Sequence, residues 1–109
     1  MSVDQTDKID FLWKDEQSGQ VMLTITDHLD WKKRDESEHL LLLQKKINTY
    51  LHFIESGQLW KANPEYEGLP VAIHVRAKYR LSKEAAKFYK LAEKGASEAG
   101  ASLVFDHAP

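Results

Sequence analysis

The chain has no cysteine at all. Disulfides, thiolate nucleophiles and cysteine-built zinc sites are therefore excluded, and the composition fits a reducing compartment. Long apolar runs are missing too. The longest aliphatic stretch is the four leucines at 40–43, far short of the roughly 20 residues a membrane-spanning helix needs. Three prolines and five glycines in 109 residues are too few for a collagen-like or low-complexity chain. Neither sign of charge dominates, with 15 Lys+Arg against 17 Asp+Glu. A net charge of −2 gives no global attraction to nucleic acid or anionic lipid, so such binding needs a local patch. The first residues lack the basic flank and apolar run of a secretory signal, and the expectation is a cytoplasmic protein. No glycine-rich phosphate loop and no G-x-S-x-G elbow occurs.

What is present describes one folded domain, 42% hydrophobic and 29% charged. Residues 1–7 read as a loose arm and 8–109 as a single domain. Ile9, Phe11 and Trp13 alternate with Asp10, Leu12 and Lys14, and Val21, Leu23 and Ile25 with Met22, Thr24 and Thr26. A turn over residues 15–19 joins them into a hairpin, with Trp13 opposite Val21 and Phe11 opposite Leu23 on one apolar face.

A helix follows, opened by Asp35 and Glu38 at capping-box spacing and stopped by Gly57. Leu40, Leu43, Ile47, Tyr50, Leu51 and Ile54 form its apolar stripe, while Leu42 and Phe53 fall off it, beyond polar positions such as Lys46. Residues 58–69 read as a loop. The clearest strand carries Val71, Ile73, Val75, Ala77 and Tyr79 on one face, with His74, Arg76, Lys78 and Arg80 on the other. Ser82 caps a second helix whose face uses Ala85, Phe88, Ala92 and Ala99, and residues 103–105 make a last strand.

The expected fold is α+β: a two-layer sandwich in β-β-α-β-α-β order, with a four-stranded mixed sheet and both helices on one face. Strands with one apolar face each call for helices on one side alone, which leaves the other side of the sheet uncovered. The third and fourth strands should run parallel across the second helix.

Four segments resemble one family. DKIDF (7–11), ITDHLDW (25–31), EHLLLLQKKINTYLHFIESGQ (38–58) and AKY (77–79) look like a family of small bacterial proteins classed as a domain of unknown function. The resemblance covers nearly the whole chain after its first few residues. It implies a bacterial source and a self-contained domain, and brings no activity, ligand or site residue.

Three functional readings follow from the residues. Asp27, His28, Asp30 and His39 are the densest set of metal-ligand types, the basis of a small metal-dependent enzyme; no second ligand motif accompanies them, and the expectation is no metal, no cofactor and no catalytic residue. The alternative for Asp27 and Asp30 is a structural turn, their carboxylates accepting backbone N–H groups. Arg76, Lys78 and Arg80 form a basic strand face able to track phosphates, although the neighbouring strands bring no aromatic platform for bases. Leu12 and Met22 on the uncovered face, Leu42 and Phe53 off the helix stripe, and His74 and Arg76 beside them are candidates for an interface. The leading expectation is a non-catalytic protein-interaction or regulatory domain, homodimeric or with another protein as partner, and with no membrane.

Overall fold

A computed structural model describes residue 9 and residues 11–108. The N-terminal arm expected over 1–7, and the place of Asp10, lie outside the described residues. The elements in order are β1 (Phe11–Lys14), β2 (Val21–Asp27), α1 (Glu36–Glu55), α2 (Gln58–Ala62), a 3-10 turn (Pro64–Tyr66), β3 (Val71–Ala77), α3 (Lys83–Glu98) and β4 (Ala101–His107). One four-stranded sheet runs β1-β2-β3-β4, antiparallel between β1 and β2 and parallel for the other two pairs. The α+β class and the β-β-α-β-α-β order stand, with α2 as an addition. No helix of the described residues is long and apolar enough to cross a membrane.

Register explains why both long helices share one layer. Pairing lines up Val21 with Val71 and Ala101, Leu23 with Ile73 and Leu103, and Ile25 with Val75 and Phe105. Laterally paired residues point to one side of a sheet. Leu43, Ile47, Tyr50 and Ile54 of α1 and Tyr89 and Ala96 of α3 join those same residues in one buried cluster. Each large apolar side chain so buried contributes on the order of 1.5–3 kcal/mol. Ser82 caps α3 as expected, its Oγ accepting the N–H of Ala85 at 3.1 Å. Gly57, at φ +83, takes the left-handed conformation that ends α1 and that a side chain would strain.

The hairpin departs from its expected register, and the difference reverses β1. Lys14 pairs with Val21, Trp13 with Met22, Leu12 with Leu23 and Phe11 with Thr24. The turn is one residue longer than expected: Asp15 N–H donates to Gln20 O, and Gly19 N–H donates back to Asp15 O, both at 2.8 Å. A slip of one residue moves every side chain to the opposite face. Leu12 therefore packs against the core from the helix side, while Phe11 and Trp13 stand on the uncovered side, each 44% exposed. The indole gains from this, since Trp13 Nε1 donates to Thr24 Oγ1 at 3.2 Å on that face.

Other expectations are corrected by packing. α1 buries His39 and Lys46 as well as its aliphatic stripe, and Lys46 Nζ sits 5.5 Å over the Tyr50 ring. Asp35 is the N-cap residue of α1, but its side chain makes no capping bond. Leu42 and Phe53 are partly buried against the core rather than free. Residues 58–69 hold α2, which drives Leu59 fully into the core. The core face of α3 centres on Tyr89 and Ala96 with Ala85, not on Ala99. β3 ends at Ala77, so Tyr79 lies beyond it and is exposed.

Candidate functional site

Two places gather the chemistry-bearing residues. The first is the neck between β2 and α1. Asp27 ends β2 and His39 lies in the first turns of α1; both are almost fully buried, at 1% and 2% exposure. His39 Nε2 is 2.8 Å from Asp27 Oδ1 and 2.7 Å from Oδ2, and Nδ1 is 2.8 Å from the backbone oxygen of Asp30. A carbonyl oxygen only accepts, so the Nδ1 contact is a donation from the ring to Asp30. Trp31 closes the outer side, its ring stacked on the imidazole at 3.6 Å between centroids. The Leu29 N–H donates to Asp27 Oδ1 at 3.1 Å, as a turn-forming carboxylate requires.

This arrangement has the residue types of an acid–base pair, yet neither ring nitrogen is open to a substrate. Both are engaged inside the fold. His28 is exposed, and the Asp30 carboxylate accepts the Lys32 N–H at 3.2 Å. Asp27 and His39 thus join side chain to side chain, while Asp30 reaches His39 only through its backbone oxygen and lines, with His28 and the edge of His39, a hollow beside the neck. Among the described residues no group of three or more His, Asp or Glu side chains could hold a metal ion. A shallow hollow of about 390 Å³ beside the neck is lined by His28, Asp30, Asp35, Glu38, Leu42 and Tyr79, among others. Tyr89, on α3, feels the same neck from below. Burial first, and the negative charge of Asp27 second, hold its phenol well above its ordinary value, as a neutral group. Its hydroxyl has no hydrogen-bond partner among the described residues.

The second place is the uncovered side of the sheet. The pairing that buries Leu12 and Leu23 sets Trp13 beside Met22, then Ala72 and Ser102; the next row holds Phe11, Thr24, His74 and Val104, and the third Thr26, Arg76 and Asp106. No helix of the described residues packs on this side. A concavity of about 470 Å³ lies between Phe11, Trp13, Thr24, Thr26, His74, Arg76 and Asp106. Met22 is only 9% exposed, sheltered beside the indole, so it offers little surface.

Charge on this face is partly tied up. His74 Nε2 lies 3.3 Å from Asp106 Oδ2, a contact that draws the carboxylate away from Arg76, its paired neighbour on β3. Arg76 makes no hydrogen bond or ion pair among the described residues and is exposed. Lys78 and Arg80, also exposed, continue past the strand end.

Of the interface candidates, His74 and Arg76 stay on the uncovered face. Leu12, Leu42 and Phe53 are partly buried against the core on the helix side of the sheet, and Met22 is shielded where it lies. Phe11 and Trp13 replace them, and alternation alone could not have found them, because either register of β1 satisfies it. The one signal for the observed register is the six-residue spacing between Lys14 and Val21, closed by Asp15 and Gly19.

A model of a family of unknown function (DUF6572) matches residues 1–108. No curated protein matches the chain, and no solved structure does.

Proposed function

We propose, for a chain that belongs to the DUF6572 family of unknown function, a non-catalytic role as a protein-interaction or regulatory domain that meets its partner with the uncovered face of its sheet. The observation that supports this reading is the grouping of Phe11, Trp13 and Arg76. Two half-exposed aromatic rings and one unpaired guanidinium flank a single concavity. Trp, Tyr and Arg carry most of the binding energy in protein interfaces, where anchors sit in desolvated pockets ringed by polar groups. Thr24, Thr26, His74 and Asp106 would form such a ring. The occupied nitrogens of His39 speak against acid–base catalysis at the neck.

A second reading has its own observation. The aromatic platform that the sequence withheld from the basic strand is supplied by β1, so Phe11 and Trp13 stand on the face of Arg76, with Lys78 and Arg80 beyond. Single-stranded nucleic acid is held by such stacking surfaces beside cations. Asp106 on the same face and the net charge of −2 weigh against it.

The test is cross-linking in producing cells, followed by identification of the captured proteins. The wild type is compared with Phe11→Ser/Trp13→Ser/Arg76→Glu and with a control on α3, Lys87→Glu. Proteins held by wild type and control but lost by the face variant are expected. Equal capture by all three sinks the reading. Binding of labelled oligouridylate that collapses between low and moderate salt, and is lost in the face variant, would instead establish the second.

A further inference from the structure

From the pattern of β4 we infer that two copies of this chain pair edge to edge, β4 against β4, antiparallel about a two-fold axis at Val104. This inference stands on the sheet edge, not on the aromatic face, and either can fail without the other.

The two edges of the sheet are built differently. β1 is four residues long and ends in Lys14, which is how an edge is kept from pairing. β4 is seven residues long, holds no proline, lysine or arginine, and carries one carboxylate, Asp106. No strand of the described residues pairs with its outer side. An unprotected edge of this length presents a row of backbone groups to another strand.

The backbone fixes what can pair. Ala108 N–H donates to Ala77 O at 2.9 Å, so the even-numbered residues of β4 direct their backbone groups to β3. The odd-numbered residues, 101, 103, 105 and 107, direct theirs outward. In a two-fold antiparallel pair these odd residues must face one another, and only an axis through Val104 engages the full strand. Leu103 then exchanges both backbone bonds with Phe105 of the second copy, and Ala101 with His107. Val104 meets its own copy in the closer, non-hydrogen-bonded position, where paired Cα atoms are roughly 4.5 Å apart.

Side chains fit that register. Val104, 41% exposed on an edge, is covered by a second valine. Asp106 falls opposite Ser102, a hydrogen-bond donor, whereas an axis through Asp106 would set two carboxylates together. A symmetric interface needs such self-complementarity. On α3, Phe88, Leu91 and Gly95 line the groove toward α1, so Lys90 and Glu93 lie on the opposite flank and bring both charge signs toward the copy. The product is one continuous eight-stranded sheet that leaves Phe11 and Trp13 free at its two ends.

Sedimentation over a wide concentration range, together with engineered thiols, tests this in a chain that has no cysteine of its own. The wild type should dimerise reversibly, and Val104→Lys should be monomeric with an unchanged circular dichroism spectrum. Val104→Cys should form a disulfide-linked dimer on mild oxidation, since its Cα separation suits a disulfide. Ser102→Cys and Asp106→Cys should cross-link when mixed but not alone. The face variant Phe11→Ser/Trp13→Ser should still dimerise. A wild type that stays monomeric throughout overturns the inference. So does a dimer that Val104→Lys leaves intact and Val104→Cys cannot cross-link.

Discussion

Asp27 grips His39 with both carboxylate oxygens, at 2.8 and 2.7 Å from Nε2, across twelve residues of chain. The contact ties the end of β2 to the start of α1 inside a space sealed by Trp31. Removing one member leaves the other buried without its partner, which costs roughly 3–5 kcal/mol. Asp27→Ala and His39→Ala should each lower stability by about that much. The double variant should lose clearly less than the sum, because the two sites share one interaction. Urea unfolding of the four proteins checks this. Single losses below about 0.5 kcal/mol, the range of ordinary surface changes, would remove the structural role assigned to the pair.

Tyr89 gives a prediction with a definite sign. Its hydroxyl is buried and unpartnered, and burial with the charge of Asp27 keeps the phenol neutral in the fold. In the unfolded chain a tyrosine ionises near its ordinary value of 10.0. Above that pH the unfolded state has released a proton that the folded state retains, so stability falls as pH rises, by up to about 1.4 kcal/mol per unit. Tyr89→Phe should lose this part of the alkaline slope. At neutral pH it should be as stable as wild type or more so, since a hydroxyl without a partner is removed. An alkaline slope unchanged by the substitution would contradict the environment described for Tyr89.

The orientation of β1 is decided by two substitutions. Leu12 faces the core and Trp13 the uncovered side. Leu12→Ala should cost on the order of 2 kcal/mol or more, and Leu12→Lys more again, whereas Trp13→Lys should be tolerated far better. Thermal denaturation gives the ranking, and the opposite order would restore the alternative register.

Most of the architecture was legible from periodicity. β3 has strict alternation with Ile73 at its centre, and its core face is where that pattern places it. Ser82 and Gly57 mark helix ends for local reasons that sequence carries in full. What escaped the sequence was set by partners distant in the chain. His39 and Lys46 border the apolar stripe on a helical wheel, but their polar side chains read as solvated until the Asp27 carboxylate and the Tyr50 ring are brought alongside them. Leu12 and Trp13 are both apolar, so hydrophobicity could not choose between them; the turn did. Of the candidate ligands, Asp27 and His39 do meet, because one ends a strand where the other begins a helix. Asp30 meets His39 through its backbone oxygen alone, and His28 stands exposed on the turn that Asp27 itself stabilises.

The closed neck also changes what a break in the chain would do. Lys32, Lys33 and Arg34 are exposed on the bridge between β2 and α1, within reach of trypsin. On one side of that bridge stand β1 and β2, and on the other everything else, joined to them by the β2–β3 ladder, the shared core and the Asp27–His39 grip. A single cut there would sever the backbone without releasing either piece. The nicked protein should elute as one species and part only in denaturant, which makes the bridge a place to open the chain, insert sequence or split the domain into two reassembling halves.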